Sequence, residues 1–401
     1  MRLLKTVWSY AIVGVVLAMP AKAQVNKIGS KKVDSVYVNL KLFINQTVFL
    51  TPTKKNATNW AKALWGMGLM LYKPKGFSVK IIPIIAQLNK QSPGFQYAFL
   101  QMLYTLYPTK FATQIQPIWQ QLGTAKTQAI ALEYLAQNHI YNLQTARPDT
   151  LAEHLQTYIT NQKKIVAQPQ QNDFLDTTFL PGKWVLCSFQ NRNRNYPGYA
   201  MIRTNKHTWL CDGMGKVYRF PQLARSITNL PYYLTNGNTP QGLYQLNGCD
   251  TSNNQFIGST TNIQMLLPFE AGDIPFFKPN NIEQAADIYA KMLSPKLSAY
   301  HQLWQSFTAG KLGRTEVIAH GTAINPLLYK NQQYYPHTPS LGCLCSPELW
   351  NDNNQTIYSF QQLLVAQLLS NTDAKSYAVV AEIADFKTQF GKVKLGSYNK
   401  N

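Results

Sequence analysis

The sequence predicts an α+β protein: an all-α, HEAT-like N-terminal domain followed by a mainly β domain that carries a helical insertion. Two observations predict it. From about Asn56 to Ala167 apolar residues recur at the three-to-four spacing of a helix face, and beyond Asp173 they come in the short runs of strands. Composition agrees, because 45% hydrophobic and 12% aromatic residues suffice to fill a core over 401 residues.

Residues 1–23 open with Arg2 and Lys5, run apolar from Val7 to Met19, and end at Ala21-Lys22-Ala23. That is the layout of a cleavable export signal, cut between Ala23 and Gln24, which places the mature protein in the periplasm. The apolar run is too short to span a bilayer stably. The net charge of +20 favours an anionic partner such as a cell-wall polymer or a membrane surface. Export argues against nucleic acid.

The helical domain is read as residues 24–167. Trp60, Leu64, Met67 and Leu71 mark one helix face, Phe99, Met102 and Leu103 another, and Ile130, Tyr134 and Leu135 a third, with breaks at Pro74, Pro93-Gly94, Pro108 and Gly123. Short helices joined by tight turns would stack as a layer, either a docking surface for a protein partner or a spacer. Arg147-Pro-Asp-Thr150, with Glu153 three residues on, reads as the capped start of one more helix. The polar stretch from Gln168 begins a linker over 168–178.

Residues 179–390 form the second domain. Strands are expected at 183–189, 199–203, 207–210, 242–246, 315–319 and 377–383. A helical insertion over about 275–310 starts near Asn280, with Ile282, Ala286, Tyr289 and Leu293 on one face and a second helix over 296–309. It would act as a lid or as a stabilising layer. A helix at 359–369 precedes the last strand, and residues 391–401 form a basic tail.

Two segments gather chemistry. Ile318 to Pro347 holds His320, His337, Ser340, Gly342, Cys343 and Cys345, bringing together a base, a thiol nucleophile and a glycine that admits close backbone approach. Upstream, Asn238-Thr-Pro-Gln-Gly-Leu-Tyr-Gln-Leu246 gives a turn into a strand. Together Thr239, Pro240, Gly242 and Tyr244, then Ile318, His320, Gly321 and Thr322, then Ser340, Gly342 and Cys343 resemble the T-P-x-G-x-[FY], [IV]-x-H-G-[TS] and S-x-G-C motifs of the YkuD-type L,D-transpeptidases. The chain departs from that family at Leu341, where the family has a second histidine, and at Cys345, where it has Arg or Asn.

The resemblance implies a β-sandwich-like domain with the cysteine at the mouth of a cleft, and a cofactor-free, metal-free enzyme. It would move acyl groups of peptidoglycan stem peptides from a thioester on Cys343 to an amine. His320 would be the base, with Gly342, Leu344, Ser340, Gly321 and His337 as oxyanion donors or support, and Thr239, Pro240, Gly242 and Tyr244 on the substrate. The chemistry asks for a thiol lowered toward neutrality by an imidazolium or by N–H groups, and for a Gly342 whose missing side chain clears the acyl group. A related murein peptide hydrolase or a non-catalytic wall-binding scaffold would use the same residues. Five cysteines in an oxidising compartment leave at least one thiol in a monomer, and the pairing of the others stays open.

Overall fold

A computed structural model describes residues 31–142 and 167–386, apart from 253–256, 258–259, 271–275, 277–281, 323, 352–355, 372–375 and 385. The export signal, the capped helix after Arg147, the helix start at Asn280 and the basic tail lie outside the described residues. Among the described residues no helix is long and apolar enough to cross a membrane.

The N-terminal region is helical, as expected. Its elements are α1 (Lys31–Thr47), α2 (Ala57–Leu69), α3 (Ser78–Ile85), α4 (Pro93–Leu106), α5 (Ala112–Ile115) and α6 (Ala125–Gln137). Local signals set the ends. Ser92 caps α4 by accepting the Phe95 N–H at 3.4 Å with Pro93 at the first position, and Thr124 and Thr127 close a reciprocal cap on α6. The sequence reading missed α1, although Tyr37, Leu40 and Ile44 bury one face of it.

The helical core does not stop at α6. It continues into Leu223, Ile227, Leu230, Tyr233 and Leu234, and into Leu312, Ile324, Tyr329 and Tyr334. Polar bonds cross the same seam: Tyr329 Oη donates to the Leu69 carbonyl at 2.6 Å, Tyr97 Oη to the Thr235 carbonyl at 2.5 Å and Tyr233 Oη to Glu133 at 2.9 Å.

The C-terminal region is built on strands β1 (Val185–Gln190), β2 (Gly198–Arg203), β3 (Phe220–Gln222), β4 (Gly242–Asp250), β5 (Asn262–Leu266), β6 (Val317–Gly321), β7 (Leu344–Ser346) and β10 (Tyr377–Glu382); β8 (Glu348–Trp350) and β9 (Thr356–Ser359) form a separate ribbon. The sheet order is β3-β2-β1-β10-β4-β5-β6-β7, with β1·β10 and β6·β7 parallel. Reciprocal 2.9 Å bonds between Leu223 and Cys345 bring β7 back beside the end of β3, so the sheet is nearly closed. One curled sheet therefore replaces the two layers of the expected sandwich. A strand at 207–210 is reduced to isolated bridges, Arg203 to Trp209 and Cys211 to Val217.

Alternation sorts the side chains. Leu186, Ile202, Tyr244, Ile263, Met265, Val317, Ala319, Leu344 and Val380 face the interior, where α9 (Phe360–Asn371) adds Leu364, Val365 and Leu368. The outer face of β1, β2, β4 and β10 is covered by α7 (Ile282–Ser298) and α8 (Gln305–Lys311), through Ala285, Tyr289, Leu293, Leu297 and Phe307. The chain kinks at Ser294, φ 73°, and Pro295, between the two expected helices, while the second of them, over 296–309, is interrupted where Tyr300 turns extended before a 3₁₀ turn, His301–Trp304. These helices form a packing layer and none of their described residues lines the cleft described below.

Candidate active site

Strands β5, β6 and β7 are the part of the sheet whose outer face α7 and α8 leave alone. Ile263, Ala319 and Leu344 are register partners and point inward, so Asn262 and Gln264, Ile318 and His320, and Cys343 and Cys345 lie on the other face. Above this face opens a cleft of about 590 Å³. Gln264, Ile318, His320 and Cys343 make its floor. Trp65 and Leu69 of α2, with Ile227 and Leu341, wall one side, and Asp250, Glu270 and Glu316 wall another.

Cys343 is half-buried, and its thiol donates to the Glu316 carbonyl at 3.6 Å. Burial pushes the thiol above the ordinary range, opposed by the Ile318 N–H and the nearby Arg314 guanidinium. His320 is only 5% exposed, and its Nδ1–H donates to the Gly321 carbonyl at 2.7 Å, which fixes the tautomer and leaves Nε2 as the free base. Burial holds this imidazole below its usual pKa of 6.5 against the pull of that carbonyl. Both groups therefore rest neutral. This corrects the expected lowered thiol, because burial removes both charged forms from water.

The turn before Cys343 is held by side chains. Ser340 Oγ accepts the Gly342 N–H at 3.1 Å and donates to the Cys343 carbonyl at 2.8 Å, while Thr239 Oγ1 donates to the Gly342 carbonyl at 2.9 Å. The Gly342 N–H is thus occupied and is not an oxyanion donor. Gly342 has φ +112°, and a Cβ there would collide with the Arg314 guanidinium and the Gly237 carbonyl. The glycine makes room for a buried cation, not for an acyl group. Leu344 turns inward and supplies β7 rather than the cleft wall.

Other residues expected at the site support it from behind. Tyr244 is fully buried and donates to the Pro240 carbonyl at 2.7 Å, and Gly242, at φ +123°, packs where a Cβ would strike Leu303 and Tyr289. With Thr239 they make the scaffold of the cysteine turn; none lines the cleft. Gly321 is a glycine because the buried Glu348 carboxylate, pushed up to about 7 by desolvation, packs on it. His337 lies buried off the cleft, and among the described residues neither of its ring nitrogens has a hydrogen-bond partner, so it does not stand in for the motif histidine. Cys345 is buried between the Thr338 and Thr322 hydroxyls at 3.5 and 3.6 Å, its thiol pushed up to about 11. All five cysteines are free.

Sequence reading missed Arg314. Its guanidinium, 6% exposed, donates to the carbonyls of Tyr232, Asn238 at 2.8 Å and Gly237 at 2.7 Å, tying the turn before β4 to the cysteine turn. Nothing in Leu312-Gly-Arg-Thr315 announces this, since its partners are main-chain groups about eighty residues away. No protein-family model and no curated protein matches this chain.

Proposed function

We propose that this protein is a cysteine acyltransferase of the L,D-transpeptidase type, acting on peptidoglycan stem peptides in the periplasm. One observation carries the reading: Cys343, the residue before β7, and His320 of the adjacent parallel strand β6, whose register partner is Cys345, both line the cleft floor, with His320 Nε2 free to take a proton. In this reading Nε2 takes the Cys343 proton as sulfur attacks the donor carbonyl, so the two neutral groups ionise together. The oxyanion develops beside the Cys343 N–H and the positive Arg314, and His320 returns the proton to the leaving amine. The acceptor ammonium first loses a proton to solvent through the wall carboxylates; the neutral amine then attacks the thioester and passes a second proton to Nε2, which returns it to the departing Cys343 sulfur.

The carboxylates of Asp250, Glu270 and Glu316 on one cleft wall favour a cationic amine as acceptor over water, which supports transfer above hydrolysis. The helical region, read from sequence as a HEAT-like layer that either docks a partner or serves as a spacer, contributes Trp65 and Leu69 to the wall of the substrate cleft in this reading.

The test is intact-mass spectrometry of the mature protein with a disaccharide-tetrapeptide. Wild type is expected to gain an acyl adduct on Cys343 and to form cross-linked dimer; Cys343→Ala gains none. Cys345→Ala keeps the adduct. His320→Ala slows adduct formation by roughly 10²–10⁴. No adduct on wild type would sink the proposal.

A further inference from the structure

Two residues joined through Glu270 hold backbone conformations that their side chains disfavour. Glu316, the residue before β6, has φ +61°, and Phe269 has φ +69°. Leu267-Pro-Phe-Glu270 closes as a turn, the Glu270 N–H donating to the Leu267 carbonyl at 3.1 Å; proline stands second and the positive φ third, where glycine is usual. One carboxylate joins the two strained sites. Glu270 Oε2 accepts the Leu267 N–H at 3.0 Å and Oε1 accepts the Glu316 N–H at 2.9 Å. The carbonyl of that same Glu316 receives the Cys343 thiol at 3.6 Å. A chain of contacts thus runs from Glu270 through a strained peptide to the sulfur.

We propose that Glu270 is a positioning residue for the nucleophile: its carboxylate clamps Glu316 in the left-handed conformation, and the carbonyl so placed aims the Cys343 thiol and keeps it protonated until His320 takes the proton. The inference rests on Cys343 being the nucleophile named above. Strain of this kind persists only where surrounding groups enforce it. An ionised carboxylate accepting two main-chain N–H groups is such an enforcer, because each charge-assisted bond is stronger than a neutral one. Glutamine has a single acceptor oxygen, so Glu270→Gln must leave one of the two N–H groups facing an amide NH₂. Glu316 is then released toward φ < 0, and its carbonyl leaves the thiol.

The experiment uses the full chain. Iodoacetamide alkylation is followed from neutral to alkaline pH by peptide mapping, so that the exposed Cys211 is counted separately, alongside acyl-adduct formation with the disaccharide-tetrapeptide. Glu270→Gln is expected to move the Cys343 alkylation profile to lower pH, the rate near neutrality rising about tenfold for every pH unit that the profile moves, while acyl-adduct formation slows. Opposite changes in the two rates are something a general loss of stability would not give. Removing a negative charge would by itself ease thiolate formation, so the double variant Glu270→Gln/Glu316→Gly separates charge from geometry. Glycine accepts positive φ without a clamp, so geometry returns both rates toward wild type although two carboxylates are now missing, Glu270 and the Glu316 that itself raises the Cys343 thiol; charge alone would instead move the alkylation profile further to lower pH. Unchanged profiles, a parallel fall of both rates, or a double variant no closer to wild type would each overturn the clamp. A shifted alkylation profile in a protein that never forms an adduct would leave the clamp standing and remove the transferase reading instead.

Discussion

His337 keeps a neutral imidazole in a buried site, and burial draws its pKa down from 6.5 to about 4 against the pull of the Tyr334 backbone. Above pH 6.5 folded and unfolded chains are both neutral there, so the group adds no pH dependence. As pH falls from 6.5 to 4 the unfolded chain takes up a proton that the folded chain refuses. Stability is lost over that window, by about 3 kcal/mol. His337→Leu, which keeps an apolar group in the space, should flatten that part of the profile; urea denaturation of both proteins at a series of pH values checks it, and superimposable slopes would refute it. At this scale the cysteine and histidine that line one cleft, Cys343 and His320, stood out in the chain because each sits in a short Gly-containing segment in the order of a known motif set. Arg314 and Glu270 were not, because each acts on main-chain atoms that carry no residue signature.

The turn Ser340–Cys343 works as an element only because three others hold it: the Thr239 segment, the Arg314 side chain and the start of β7. Gly342→Ala combines a left-handed φ with a collision against a buried guanidinium, and should cost at least about 2 kcal/mol and slow the proposed acyl transfer. Gly182→Ala is the control, since its φ is +67° with open space around the position, and it should cost only about 1 kcal/mol. Equal losses in denaturant titrations would show that conformation alone, not Arg314, fixes Gly342. Helices with a clean apolar stripe, such as α2 and α4, and strands buried on both faces, such as β1 and β10, were legible from spacing. The three-residue strands β3 and β7 were not, because a short strand has no period to read and exists only through its neighbours.

The whole molecule shares one apolar seam, with residues from Tyr37 to Leu135 packed against residues 223–234 and 312–334. Scanning calorimetry of the full chain should give a single cooperative transition. A chain lacking residues 1–142 should show none, since its Ile227, Tyr329 and Tyr334 would face water. Two resolved transitions, or a stably folded truncated chain, would show the halves to be independent. The division into a helical and a β region, and the presence of a thiol and an imidazole in one short segment, are legible in the chain alone, because periodicity and side-chain chemistry are local properties. Only in the folded molecule do thiol and base both rest neutral, do Thr239, Gly242 and Tyr244 brace rather than bind, and does α2 wall the cleft. Each of these depends on burial and on partners distant in the chain, and the spacing of residues encodes neither.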